Sequence, residues 1–404
     1  MLPQDQKLIR KINKEKARRL AIELQGRRNR DPNLLAISKA IDEYICLDKL
    51  KLYCAYLSYT KYTNTEFIDY DRNSFVFLDE VIAQVAAGQF ENPLIKIYHW
   101  IQQLYEGMDQ EGVDDEHLYH QFYPQLSALL QKVSKDERVE VYSYLTNYCT
   151  YKINQRITTF LKPFIQFSVL ILDIKLTTSG KKDRFLPPAT FSNIVKATLR
   201  LHDDQQFFTD IIQQLRYSQS TYKEVNSGME WVEKFVEQYK NRLSMPDADY
   251  YYIYSRALLY FWQQQYGKAY RLLNNPKRPQ GMFINLETRS LYLVILYELF
   301  NKRPAILDSD DVEIGKVLES FRGLIRDDYH RKKQLAEHYL NIYKNFGLLY
   351  KRLYKLNLRY DGVLKRPKRF YKLIQTLEQD THRVNIPFKD WMLSKIGALK
   401  ANEE

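Results

Sequence analysis

Apolar residues recur every three or four positions along nearly the whole of this 404-residue chain, and no stretch alternates at period two. A period near 3.6 lets a helix bury one face, whereas a half-buried strand needs a period of two. The pattern therefore predicts helix after helix and an all-α fold. Breakers are scarce as well. Glycine and proline number 13 each, where average usage would give roughly 28 and 20. Tight turns should be few and connections short. With 45% apolar residues the chain can bury a core.

Start and stop signals divide the pattern. Residues 6–25 read as a basic amphipathic helix that stops at Gly26. Asp31-Pro32 then offers an N-cap followed by proline at the first helical position, opening 33–62 as one long helix or a tight pair. Its apolar residues are Leu34, Ile37, Ile41, Tyr44, Ile45, Tyr53 and Leu57. Asn92-Pro93 repeats the signal. The acids of "DDEH" suit the start of a helix near 114–132, and Ser134 with Glu137 forms a capping box. "TTSGKKDRFLPP" is the clearest loop, and 202–228 reads as a partly helical insertion. The organisation expected is a basic arm over 1–30, a helical half over 31–176 and a second over 188–404, the halves forming one continuous array.

The stretch "YSRALLYFWQQQYGKAYRLLNNP", residues 254–276, shows how neighbouring helices would meet. Ala257 and Tyr260 share a face of one helix, and Tyr266, Ala269 and Leu273 share a face of the next. Small residues stand where the two would cross. This arrangement resembles the tetratricopeptide repeat: a small residue, an aromatic three later, then Tyr-x-x-Ala entering the second helix. A weaker copy runs through "SLYLVILYELFNKRPAIL", with Tyr297 matching Tyr260. The segments "NYCTYKINQ", "TFSNIVKATLRL", "GMEWVEKFVEQYKNRL" and "VLESFRGLIRDD" are similar to a group of uncharacterised bacterial helical-repeat proteins. The resemblance implies a right-handed α-solenoid of stacked antiparallel hairpins and does not itself point to an activity. Its concave wall would present Tyr251, Tyr254 and Trp262, joined by Thr288 and Glu298 from the next unit, to a protein or peptide partner.

Charge is uneven. The net +12 gathers at two places, +7 over residues 1–30 and +11 over 331–372, around a mildly acidic middle. On the helix through 331–357 and just beyond it, Lys344, Lys351, Lys355 and Arg359 fall on one side, with Leu335, Ile342, Leu349 and Leu353 opposite and Tyr343, Tyr350 and Tyr354 at the border. Such a stripe suits nucleic-acid phosphates, with tyrosines to stack on bases, or an acidic partner.

Patterns that would carry catalysis are weak. His117 and His120 lack a further metal ligand. "SGKK" at 179–182 lacks the first glycine and the final Ser or Thr of a phosphate loop. "LDSDDVE" at 307–313 lacks the glycine and distal glutamate of a calcium loop. No catalytic residue, metal or cofactor is therefore expected. Cys46, Cys54 and Cys149 read as reduced, buried thiols. The first residues contain no apolar signal core, and the most apolar run, 164–176, is short of the roughly 20 residues of a membrane span. A cytoplasmic scaffold is the expectation.

Overall fold

Local signals start most of the helices. The Asn92 side chain accepts from Leu94 N at 3.0 Å, with Pro93 at the first helical position. Asp114 accepts from His117 N at 2.9 Å, and Ser134 from Glu137 N at 3.3 Å. Ser227 caps the next helix start in the same way, at Glu230 N. Each satisfies a backbone donor that the first turn leaves open. The computed structural model describes residues 34–62, 71–108, 114–178, 186–214, 225, 227–244, 247–274, 281–302, 307–328, 337–360 and 367–401. Among them the fold is all-α, and the nearest thing to sheet is one isolated parallel bridge between Leu186 and Leu243. The basic arm, the Asp31-Pro32 start signal, "SGKK" and Leu335 lie outside the described residues.

The chain divides into two compact units, Met1–Tyr148 and Cys149–Glu404. The first contains α1 (Leu34–Tyr62), α2 (Leu78–Ala86), α3 (Pro93–Gly107), α4 (Asp115–Leu130) and most of α5 (Lys135–Asn154). Residues 34–62 thus form one helix. It packs on α3 through Cys46, Leu50, Tyr53, Cys54 and Leu57, all buried. Tyr105 donates to Tyr144 O at 2.8 Å, and Tyr148 to the Asp115 carboxylate at 3.1 Å, fixing α5 against α3 and α4.

The second unit holds α6 (Leu161–Thr178), α7 (Pro188–Arg200), α8 (Gln205–Gln214), α9 (Gly228–Tyr239), α10 (Ala248–Trp262), α11 (Tyr266–Leu273), α12 (Met282–Lys302), α13 (Leu307–Asp327), α14 (Glu337–Tyr360), α15 (Lys368–Arg383) and α16 (Lys389–Ala401). The expected insertion supplies α8. Backbone at 307–313 is the start of α13. Helices that neighbour in sequence pack together: α10 on α11, α12 on α13 and α14 on α15. A second set of contacts joins helices further apart in sequence, α7 to α10, α10 to α12, α12 to α14 and α14 to α16, making one row of five helices. Ala257 and Ala269 are both fully buried, as expected of small residues at a helix crossing.

Candidate binding surfaces

Two buried carboxylates tie the five-helix row. Glu287 of α12 accepts from Tyr254 of α10 at 2.6 Å and from Tyr343 of α14 at 2.7 Å, on different oxygens. Lys196 of α7 stands 3.5 Å away, its ammonium also 5.6 Å from the Phe283 ring centre. Burial alone would push the Glu287 pKa up. The Lys196 charge and the two hydroxyls outweigh it and hold the carboxyl below its ordinary range. Glu298, further along α12, accepts from Trp391 Nε1 and Lys395 Nζ of α16, each at 2.6 Å. Trp391 in turn stacks on Tyr350 of α14.

This arrangement corrects the groove expected from the sequence. Tyr254 and Glu298 are interior residues, since they lie on the faces by which α10 and α12 touch the next helices of the row. Tyr251 is half-buried, and burial with the nearby Asp247 and Glu287 charges raises its pKa. Trp262 is half-buried with its ring edge-on to His202 at 5.1 Å. The Thr288 hydroxyl donates to Ile284 O in its own helix. The five residues do not make a common wall.

The basic stripe fares differently. Lys344, Lys355 and Arg359 are exposed and Lys351 half-buried, on one side of α14. Arg352 on the flank pairs with Asp380 of α15 at 2.7 Å. The border tyrosines, however, are buried. Tyr343 bonds Glu287, Tyr350 donates to Leu293 O at 2.7 Å, and Tyr354 stacks on Tyr350. No tyrosine of that border is presented for stacking on a base.

A third surface escaped the sequence reading. In the first unit Ile41, Ile45 and Leu52 lie within about 40° of one another around α1, and all three are exposed, Leu52 at 63%. They point away from the buried Cys46–Leu57 face. Beside them the turn before α2 presents Val76 and Phe77, the latter 66% exposed and held at φ 62°. Lys49 of α1 reaches Val76 O and lies 5.8 Å from the Phe77 ring centre, which places that turn against the helix. The signal was present, because apolar residues occur on both sides of α1, but periodicity alone does not say which side the core takes.

Other chemistry is sparse. Between α3 and α4, a small cleft lined by Ile97, Leu104, Tyr123 and Leu126 has Trp100 stacked on Phe122 at 4.7 Å and no charged lining. Among the described residues no three His, Cys, Asp or Glu side chains gather as a metal site, and no helix is long and apolar enough to cross a membrane. Compared with known proteins, the chain matches no family model, no curated protein and no solved structure.

Proposed function

We propose that this protein is a non-enzymatic scaffold of tetratricopeptide-like helical hairpins, stacked as a right-handed solenoid, that binds a protein or peptide partner. The row α7–α10–α12–α14–α16, with each helix packed on the next, supports the repeat reading. The observation that carries the binding reading is the apolar surface of Ile41, Ile45, Leu52, Val76 and Phe77. Large apolar side chains clustered on a helix whose other face is already in the core are the usual mark of a protein contact. Partner contact on this reading falls on α1 and the Val76–Phe77 turn.

The test is photo-crosslinking in the cells that make the protein, with a photoreactive residue at position 52 or 77, before and after nuclease. Discrete protein adducts that survive nuclease and disappear with Ile45→Ser support the scaffold. No protein adduct at either position, or a pattern abolished by nuclease, overturns it. Nucleic-acid association is the second reading, favoured by the exposed cations of α14 and weakened by the burial of Tyr343, Tyr350 and Tyr354. It requires affinity that falls steeply with salt and a slope that shrinks when Lys355 or Arg359 is neutralised.

A further inference from the structure

Several cations elsewhere in the described structure are held by a carboxylate on or at the start of another helix: Lys51 has Glu137, Lys162 has Asp204, Arg256 has Glu237, and Lys400 has Glu378. The α14 stripe gathers four cations that are not. Among the described residues no carboxylate lies within ion-pair distance of Lys344, Lys351 or Lys355, and Arg359 rests over the Tyr360 ring at 5.5 Å. From residue 344 to 359 the row runs about 22 Å along the helix. Lys351 and Lys355, and Lys355 and Arg359, are like charges one turn apart, which repel. An anionic ligand laid along the row would relieve that repulsion.

The apolar residues on the same side decide which anion. Leu348 is 46% exposed and Leu358 37% exposed. Counted around the helix from Lys344, the cations span about −20° to +60°, with Leu348 among them at about +40° and Leu358 just outside at about −40°. A phosphate backbone has no use for these leucines, and the tyrosines that would stack on bases are interior. A lipid surface fits poorly as well. An interfacial helix sinks its apolar face into the membrane, whereas the apolar face of α14, with Phe346, Leu349 and Leu353, is already in the core and only two part-exposed leucines remain among and beside the cations. A helix with a carboxylate row and flanking apolar residues matches both features.

More exposed cations stand near one end of the row. Tyr360 and Phe370 meet at 4.7 Å, so the end of α14 lies beside the start of α15, where Lys368, Arg369 and Lys372 are exposed. We propose that this side of α14, with the start of α15, is the docking site for an acidic amphipathic helix of a partner protein. The proposal rests on the scaffold reading and assigns it a second surface and the chemistry of its ligand.

The experiment is fluorescence anisotropy on the full chain with four probes. They are a labelled helical peptide of Glu and Leu at i, i+3, i+4 spacing, a labelled poly-Glu peptide of equal charge, a labelled 20-base-pair duplex, and vesicles of phosphatidylserine and phosphatidylcholine. The amphipathic peptide should bind about tenfold tighter than poly-Glu. K344E/K355E should weaken it about tenfold or more. L348S/L358S should weaken it about fivefold while leaving poly-Glu unchanged. All four positions are exposed, and thermal melts check that the variants fold; K344Q/K355Q serves as the milder pair. Duplex or vesicles binding more tightly than the peptide overturns the proposal. So does equal binding of the two peptides, or indifference to the lysine pair. Failure here with nuclease-resistant adducts at position 52 would remove this site and leave the scaffold standing.

Discussion

The Glu287 node offers the sharpest test of the row of helices, because one carboxylate gathers groups from four of them. Tyr343→Phe deletes a 2.7 Å hydrogen bond and Tyr254→Phe a 2.6 Å one, with no change in ring packing. A hydrogen bond to a charged, buried acceptor is worth about 1.5–3 kcal/mol, so each variant should lose about 2 kcal/mol. For a unit the size of Cys149–Glu404 that is about 4–8 °C in Tm. The double variant should cost less than the sum. With both donors gone only Lys196 opposes burial, so the pKa of Glu287 is held down less and part of the loss is relieved as pH falls. In the parent the depressed pKa contributes stability above the ordinary carboxylate range and loses it as pH falls through the folded value. In the double variant the smaller depression contributes less, so less is lost at low pH. The stability difference between parent and double variant, read by urea denaturation at about pH 7 and about pH 3, on either side of the ordinary carboxylate value near 4.3, should therefore shrink on acidification. A constant difference, or single losses under about 0.5 kcal/mol, would refute the assignment of this node as a clamp across the row.

Gly228→Ala should cost about 1–3 kcal/mol by thermal melting, because a Cβ there would meet His202 Cα and the Phe208 ring at 2.6 Å. The three cysteines should be silent to a thiol reagent at pH 8 and react together only after guanidinium. Burial and Asp42 push Cys46 up to about 11, and burial raises Cys54 and Cys149 well above the ordinary thiol range. His99 is pushed below its usual pKa by burial, against the opposing effects of Gln102 and Glu106. Its contribution should be complete above the unfolded value near 6.5 and decline as pH falls, and His99→Gln should flatten that part of the pH profile of the first unit. Leu52→Ser should change stability by less than about 0.5 kcal/mol while removing partner adducts, which separates a binding residue from a core one.

The helices were legible because their signals are local. Asn92-Pro93, Ser134 with Glu137 and the acids at 114–116 all sit at helix starts. Ala257 and Ala269 were recognisable as contact residues by size and spacing alone. Residues 205–214 were harder, since α8 is a short segment within a stretch of mixed composition.

The surfaces were less legible, and the reason is the number of neighbours each helix has. A helix with one neighbour buries a narrow stripe, and a wheel then predicts its solvent side. But α14 packs against α12, α13, α15 and α16, so its buried arc reaches well past the apolar row to take in Tyr343, Tyr350 and Tyr354. What survives as surface is the narrow basic strip, so Lys344, Lys355 and Arg359 stay exposed while the neighbouring tyrosines are buried. On α12, which meets α10, α11, α13 and α14, nearly every residue from Leu291 to Glu298 is buried, and Glu298 enters the core with its partners. On α1 the opposite holds. The helix is apolar on both sides, but one side packs on α3 while Ile41, Ile45 and Leu52 stay exposed. Tyrosine adds to the ambiguity, because its ring suits a core and its hydroxyl can reach a buried carboxylate. An aromatic in such a chain therefore identifies a binding surface only when the packing leaves it exposed, a condition that Phe77 meets and Tyr254 does not.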